Sequence, residues 1–132
     1  MASGPYRVLV VEDEPWIRLA LAQHLEECNF HVLERASVRE AIAALEQETV
    51  DLVFTDLRLL GERDGIELAR WVAKNRPGVP VMLASGEVKA LQEVCRAEGF
   101  TPLGKPFVHS AVSAQILELI EKRKDGGTNI TP

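Results

Sequence analysis

Side chains able to do chemistry stand at the ends of four short apolar runs of this sequence. Two acids, Glu12 and Asp13, follow the run RVLVV, and Asp56 lies near the end of LVFTDL. Ser85 follows VPVMLA, and Lys105 comes two residues after the short run TPL. If these runs are parallel strands of one sheet, their carboxyl ends meet at one rim, where open α/β sheets hold their sites. The spacing therefore predicts one cluster of three carboxylates, a hydroxyl and an ammonium.

Three carboxylates in one pocket repel one another unless a cation neutralises them. A hard divalent ion such as Mg²⁺, which takes a few carboxylates and water, is one remedy, and the ammonium of Lys105 is another. A carboxylate beside a metal ion, a hydroxyl and a lysine can act as a nucleophile towards phosphorus. The metal ion and the lysine would neutralise the phosphoryl oxygens, and Ser85 would donate a hydrogen bond to one of them.

The elements that must position these groups alternate along the chain. Strands are predicted at 7–11, 30–34, 52–57, 79–84 and 101–103, and helices from Pro15, from the capping box at 37–40, after Asp64-Gly65, over 88–97 and over 110–124. Proline at the first helical position and a capping box are both helix-start signals. This alternation predicts an α/β fold with a parallel sheet and helices on both of its faces.

Length and composition exclude several classes of protein. A chain of 132 residues with 46% hydrophobic and 27% charged residues is typical of one globular domain, which excludes disorder over most of the length. No apolar run approaches the roughly 18 residues of a membrane span, and no signal peptide is visible. The net charge of -5 argues against nonspecific nucleic-acid binding, which needs clustered positive charge. We therefore expect a cytoplasmic protein that binds neither nucleic acid nor membranes.

The cysteines and histidines of the sequence show no pattern typical of a metal site or a disulfide framework. Cys28 and Cys95 are lone thiols in helical segments with neither metal-ligand spacing nor a disulfide framework, and we expect both to be buried and reduced. His24, His31 and His109 likewise show no metal-ligand spacing. No role is assigned to these five residues.

Four segments, each at a predicted strand end, resemble the receiver domain of the bacterial response-regulator family. They are VLVVEDEP at 8–15, LVFTDL at 52–57, VPVMLASGE at 79–87 and LGKPF at 103–107. The resemblance covers residues 6–124, which we expect to form one receiver domain with flexible termini at 1–5 and 125–132. It implies a doubly wound five-stranded parallel sheet, the flavodoxin-like (βα)5 fold, with strand order 2-1-3-4-5.

The resemblance also implies a role for each matching residue at the metal site. Asp56 falls on the phosphoacceptor of the family. Asp13 falls on the carboxylate that binds the metal ion directly, and Glu12 on its acidic neighbour, which usually acts through water. The backbone carbonyl of Arg58 falls on the remaining protein ligand of Mg²⁺.

Two further residues match the groups that handle the phosphoryl group. Ser85 corresponds to the hydroxyl that moves onto it, and Lys105 to the lysine that pairs with the phosphoaspartate. The resemblance implies a phosphohistidine donor, carried by a sensor histidine kinase or a histidine phosphotransferase. It implies a signalling phosphoacceptor of a two-component system or phosphorelay, and not an enzyme acting on other substrates. An unknown downstream protein would receive the signal through protein–protein contacts.

The sequence departs from the family pattern at three places. Leu60 stands where the family often has proline, four residues after Asp56. Pro102 replaces the aromatic residue that usually lies three positions before the lysine, so rotation of an aromatic side chain cannot operate there. The stretch from Ser85 to Lys105 is short for the family, which predicts a reduced fourth helix. Because proline lacks a backbone donor, we expect Pro102 to lie on an edge strand.

Three alternatives remain beside this interpretation. A receiver-like scaffold that is never phosphorylated is the first, and the departures at Leu60 and Pro102 favour it. A haloacid-dehalogenase-type phosphatase would need a second acid two residues after the nucleophile, where this chain has Arg58. A flavodoxin-like cofactor binder would need a phosphate-binding first loop, which the acids at 12–14 would oppose.

Overall fold

The computed structural model of the protein describes residues 5–59 and 64–128. Its strands are β1 (Arg7–Val11), β2 (His31–Arg35), β3 (Leu52–Asp56), β4 (Val81–Ser85) and β5 (Thr101–Gly104). Its helices are α1 (Pro15–Glu27), α2 (Val38–Gln47), α3 (Gly65–Asn75), α4 (Val88–Glu98) and α5 (His109–Thr128). None of the helices in these residues is long and apolar enough to cross a membrane.

The five strands form one parallel sheet in the order β2-β1-β3-β4-β5, which confirms the predicted fold class and strand order. Successive residues of a strand point to opposite faces, so β1 supplies both layers of the core. Val8 and Val10 belong to the core cluster that includes residues of α1 and α5, whereas Leu9 and Val11 belong to the cluster that includes residues of α2, α3 and α4. Burial on both faces explains why β1, β3 and β4 are nearly continuous apolar runs.

Local sequence signals account for the starts of three helices. Pro15 is the first residue of α1, where its missing N–H is not needed. In the predicted capping box, Ser37 Oγ accepts from the N–H of Glu40 at 3.2 Å, and the Glu40 carboxylate accepts from the N–H of Ala36. Asp64 caps α3 by accepting from the N–H of Glu67. These caps fix where the helices leave the loops at the carboxyl ends of the strands.

The structure also differs from the sequence-based expectations. Helix α5 continues to Thr128, four residues beyond its predicted end. Helix α4, which was expected to be reduced, has 11 residues, as many as α3. Cys28 is exposed and only Cys95 is buried, because Cys28 caps the end of α1 away from the sheet. The predicted departure at Leu60 and the flexibility expected at 1–4 and 129–132 lie outside the described residues.

Pro102 occupies the position expected for it. It lies in β5, which among the described residues pairs with β4 alone and therefore forms one edge of the sheet. The N–H of Lys105 donates to the carbonyl of Ser85. Since alternate residues of a strand face the same neighbour, the nitrogen of Pro102 points away from β4, where no ladder bond is lost.

Candidate functional site

Four strand ends converge on one cleft because β1, β3, β4 and β5 are neighbours in the sheet. Asp56 is the last residue of β3 and pairs with Ala84, and Ser85 is the last residue of β4. Glu12 continues β1, since its N–H donates to the carbonyl of Arg35. Lys105 directly follows β5. The sheet thus brings together the side chains that the sequence placed at its strand ends.

The three acids lie within reach of a single ion. One carboxylate oxygen from each of Glu12, Asp13 and Asp56 can be chosen so that all three lie within 4.8 Å of one another. Glu12 and Asp56 are buried, with 2% and 8% of their surface exposed, and Asp13 is half-buried. Hard divalent cations prefer clustered oxygen ligands of this kind. The donor set therefore fits a metal such as Mg²⁺.

Lys105 reaches into the same cluster. Its Nζ lies 2.6 Å from Asp56 Oδ1 and 3.5 Å from Glu12 Oε1. The second oxygen of Glu12 accepts from the N–H of Glu14 at 3.1 Å. The Lys105–Pro106 peptide bond, just after the ammonium-bearing residue, is cis.

Burial and the ammonium of Lys105 shift the pKa values of the buried acids in opposite directions. Burial raises the pKa of Asp56 above its ordinary value and the charge of Asp13 adds to this, although Lys105 opposes it through a hydrogen bond and its charge. Burial likewise raises the pKa of Glu12 against the opposing Glu14 N–H and Lys105 charge. Burial alone would lower the pKa of Lys105, but Asp56 and Glu12 together raise it. At both acids the effect of burial therefore outweighs that of the single ammonium.

Ser85 is set up as a hydrogen-bond donor at the cleft. Its Oγ accepts from the N–H of Glu87 at 3.0 Å, and the side chain is buried. A hydroxyl oriented in this way keeps its own proton for another acceptor. The cleft itself has a volume of about 340 Å³ and is lined by Asp56, Arg58, Ser85, Gly86, Glu87 and Lys105.

An ion pair spans the mouth of this cleft. Arg58, two residues after Asp56, places Nε 2.8 Å and Nη2 2.5 Å from Glu87 Oε1. Both side chains are largely exposed. The pair joins the loop after β3 to the loop after β4, so a ligand entering the cleft passes beside it.

Two residues that the sequence analysis did not single out hold the loops of the site. Arg18 donates from Nη1 to the carbonyl of Glu12 at 2.8 Å, and its Nε lies 3.3 Å from Glu34 Oε1, which ties the acidic loop to β2. Gly65 packs directly on the backbone of Asp56, because a Cβ built there would lie 2.0 Å from the Asp56 carbonyl oxygen. An arginine on the first helix and a glycine after a cap acid are too common to reveal these contacts in a sequence.

Comparison with known proteins agrees with this arrangement. The family model described as "Response regulator receiver domain" matches residues 8–117. The chain is 31% identical over 124 residues to the transcriptional regulatory protein GlrR of Escherichia coli (strain K12), covering 92% of this chain and 28% of that protein. It is 36% identical over 108 residues to the transcriptional regulatory protein PdtaR of Mycobacterium tuberculosis (strain CDC 1551 / Oshkosh), covering 80% and 52%. The chain thus spans between about a quarter and a half of the length of these relatives.

A solved structure supports the fold independently. The response regulator receiver domain protein (CheY-like) from Methanospirillum hungatei JF-1 superposes with a TM-score of 0.85. The match covers 92% of this chain and 98% of that one at 24% identity. At this identity the likeness speaks for the fold and not for the chemistry of the cleft.

Proposed function

The chain belongs to the response regulator receiver domain family of two-component systems, and from this premise we propose that Asp56 is its phosphoacceptor. The observation that carries the proposal is the contact of Lys105 Nζ with Asp56 Oδ1 at 2.6 Å inside a cluster of three acids. The ammonium of Lys105 opposes the effect of burial on the pKa of Asp56, and a carboxylate in such a cleft can attack phosphorus. The donor is a phosphohistidine of a sensor histidine kinase or a histidine phosphotransferase.

The transfer forms one bond and breaks another. A carboxylate oxygen of Asp56 attacks phosphorus, the P–N bond to the donor imidazole breaks, and the imidazole leaves with the electron pair and takes up a proton. Lys105 pairs with the phosphoryl oxygens, and Ser85 donates its free hydroxyl proton to one of them. Hydrolysis reverses the modification when water attacks phosphorus and the aspartyl oxygen leaves. The chain acts on no other substrate in this proposal.

The metal in this proposal is Mg²⁺. Asp13 and Asp56 would bind it directly, Glu12 through water, and the backbone carbonyl of Arg58 would supply a further oxygen. An ion held there would neutralise charge on the transferring phosphoryl group. The proximity of the three carboxylates and the raised pKa values of Glu12 and Asp56 support this assignment.

The output of the protein follows from the same chemistry. A phosphoryl group adds negative charge and strong acceptor oxygens to the cleft, which biases a conformational equilibrium of the surrounding loops. We propose that residues 6–124 form the receiver domain, that it works in the cytoplasm, and that the signal passes to a downstream protein through direct contacts. Since Pro102 cannot provide an aromatic switch, the loops bearing Ser85 and Lys105 carry the change.

The test is intact mass after incubation with acetyl phosphate, with and without Mg²⁺, for the native protein and for Asp56→Asn. We expect a gain of one phosphoryl group that needs both Mg²⁺ and Asp56. A gain that survives in Asp56→Asn would place the phosphoryl group on another residue and overturn the assignment.

A receiver that rejects small donors is recognised by a second measurement. Beryllofluoride mimics the phosphoryl group, and Trp16, which is 81% exposed close to the acidic loop, serves as the fluorescent reporter. A saturable, Mg²⁺-dependent change lost in Asp56→Asn supports the proposal. Absence of both mass gain and fluorescence change would favour the receiver-like scaffold.

A further inference from the structure

A second cluster of metal-binding side chains lies away from the acidic cleft, where the end of α1 meets the start of α5. It contains His24 near the end of α1, Cys28 at its C-cap and His109, the first residue of α5. Cys28 is exposed, and the two histidines are half-buried. We propose that this His–Cys site (His24, Cys28 and His109) binds a thiophilic transition-metal ion, with Zn²⁺ as the preferred ion.

The two ligands from α1 already stand at a metal-binding separation. Residues four apart lie on one face of a helix, and His24 Nε2 is 3.5 Å from Cys28 Sγ. Zinc binds imidazole nitrogen at about 2.0–2.1 Å and thiolate sulfur at about 2.3 Å, so tetrahedral geometry places these two ligand atoms about 3.6 Å apart. The separation of these two atoms therefore matches that of two ligands on one zinc ion.

The third ligand comes from the neighbouring helix. The ring centroids of His24 and His109 are 5.5 Å apart, and two imidazoles on one tetrahedral zinc have centroids about 5 Å apart. In the described residues, only the acidic cluster has three ligand atoms within 4.8 Å of one another, so His109 must turn about its side-chain torsions to aim a nitrogen at the ion.

The surroundings of Cys28 favour a bound cation over an unpaired thiolate. Cys28 caps the C-terminus of α1, where the last carbonyl groups concentrate negative partial charge that stabilises cations. Ser113 Oγ lies 3.1 Å from His24 Nε2 and donates to the carbonyl of Ser110, so an ion bound at that nitrogen replaces the hydrogen bond between His24 and Ser113. Binding forms an S–metal bond, releases the thiol proton to solvent and needs the His24 tautomer protonated on Nδ1, so no oxidant or reductant takes part.

The ligand chemistry separates this site from the acidic cleft. Thiolate and imidazole select zinc-like ions, whereas the carboxylates of Glu12, Asp13 and Asp56 suit Mg²⁺. Both sites can therefore be filled at once by different ions. The proposal does not depend on phosphorylation, and its test contains no phosphoryl transfer.

The test is a titration of the whole chain with Co²⁺ in excess Mg²⁺, with a phosphine reductant keeping the thiols reduced. Tetrahedral cobalt with a thiolate ligand gives a near-ultraviolet charge-transfer band and strong visible bands, which an all-oxygen site cannot produce. We expect these bands to saturate at one Co²⁺ per chain and to vanish when Zn²⁺ is added.

Variants then assign the ligands. Cys28→Ser and His24→Gln should abolish the thiolate band, and His109→Gln should weaken binding by at least about tenfold, because even groups that merely orient ligands contribute that much. The matched controls Cys95→Ser and His31→Gln remove a buried thiol and an exposed imidazole outside the cluster, and binding should be unchanged in both.

Three results would overturn the proposal. The first is absence of the thiolate band in the native chain. The second is a band that persists in both His24→Gln and His109→Gln, which would mean a cysteine binding cobalt alone. The third is saturation at one Co²⁺ per two chains, which would mean that Cys28 bridges two molecules and forms no site within one.

Discussion

The carboxylate of Asp56 is held between one ammonium and two other acids. Lys105 contacts it at 2.6 Å, yet burial and the neighbouring charge of Asp13 still raise its pKa. A buried acid with a raised pKa is less stable ionised in the folded chain than in the unfolded chain. We therefore expect ionised Asp56 to lower the stability of the metal-free protein.

The Asp56→Asn variant should therefore have a higher free energy of unfolding than the native chain at pH 7 without Mg²⁺. The raised pKa means that the folded protein gains stability as pH falls through the folded pKa of Asp56, and the gain is complete below the unfolded value of about 3.8. The advantage of the variant should shrink over that window. Urea unfolding across a pH series measures this.

The control for this prediction is Glu46→Gln. Glu46 is an exposed acid of α2, so its removal changes the net charge equally without touching the cleft. An equal stability gain in both variants would attribute the effect to overall charge and not to Asp56.

The ion pair between Arg58 and Glu87 lies at the mouth of the cleft. Glu87→Gln removes a negative charge at the mouth and releases Arg58 to attract an anionic donor. We expect phosphorylation by acetyl phosphate to be at least about twofold faster at low salt, with the gain fading as salt screens the charges. Stability should hardly change, since exposed ion pairs contribute little.

Glu98→Gln is the matched control for that experiment. Glu98 forms a comparable two-pronged pair with Arg70, on α4 and α3 away from the cleft. If this variant accelerates phosphorylation as much as Glu87→Gln does, the effect is one of net charge.

At the scale of elements, α3 begins against the backbone at the end of β3. Gly65→Ala would place a Cβ 2.0 Å from the Asp56 carbonyl oxygen, and backbone atoms cannot move aside as a flexible side chain can. We expect a loss of at least about 2 kcal/mol in the free energy of unfolding, because overpacking of this kind shifts the backbone. Denaturant unfolding tests this prediction.

Gly86→Ala provides the comparison. Gly86 also lies beside the cleft, but a Cβ there meets nothing within 4 Å. Its stability should stay close to that of the native chain. Equal losses in the two variants would mean that glycine at either position matters for reasons other than close packing.

Patterns of local sequence predicted most of the elements and the cluster of side chains at their ends. The alternation of apolar runs with capped helices can be recognised in short stretches of sequence. Parallel pairing of the strands then determines that their carboxyl ends meet. Close approaches between distant segments could not be predicted in the same way. Gly65 against Asp56, Arg18 against the Glu12 carbonyl and Arg58 against Glu87 depend on loop geometry, which single-residue preferences do not encode.

The exposure of Cys28 is a second feature that local sequence patterns could not predict. Cysteine is usually buried, and a helical pattern does not reveal that this residue caps α1 on the outside. The four-residue spacing from His24 was present in the sequence, but only the fold shows that His109 approaches from α5. Similarly, the glycines after Asp125 favoured an end at Lys124, whereas α5 continues to Thr128.

For the whole molecule, a metal ion in the acidic cleft should act as a stabilising ligand. The cleft draws on both β1 and β3, so an ion bound there stabilises the folded sheet relative to the unfolded chain. At a free Mg²⁺ concentration one hundred times its Kd, we expect a gain of about 2.7 kcal/mol in the free energy of unfolding. Thermal or urea unfolding with increasing Mg²⁺ measures the gain.

Asp13→Asn tests whether that gain comes from the cleft. The variant should lose most of the Mg²⁺ effect while Glu46→Gln retains it. A gain that is equal in both variants would indicate general screening by the salt instead of a specific ion.

The proline in β5 also determines how the molecule can meet its neighbours. An exposed sheet edge offers unpaired backbone groups on which another chain can add a strand, and this is a common route to aggregation. Pro102 has no N–H, and its nitrogen faces outward at the middle of that edge. Pro102 therefore removes a backbone donor that an added strand would need, which disfavours extension of the sheet at β5 from one copy to the next.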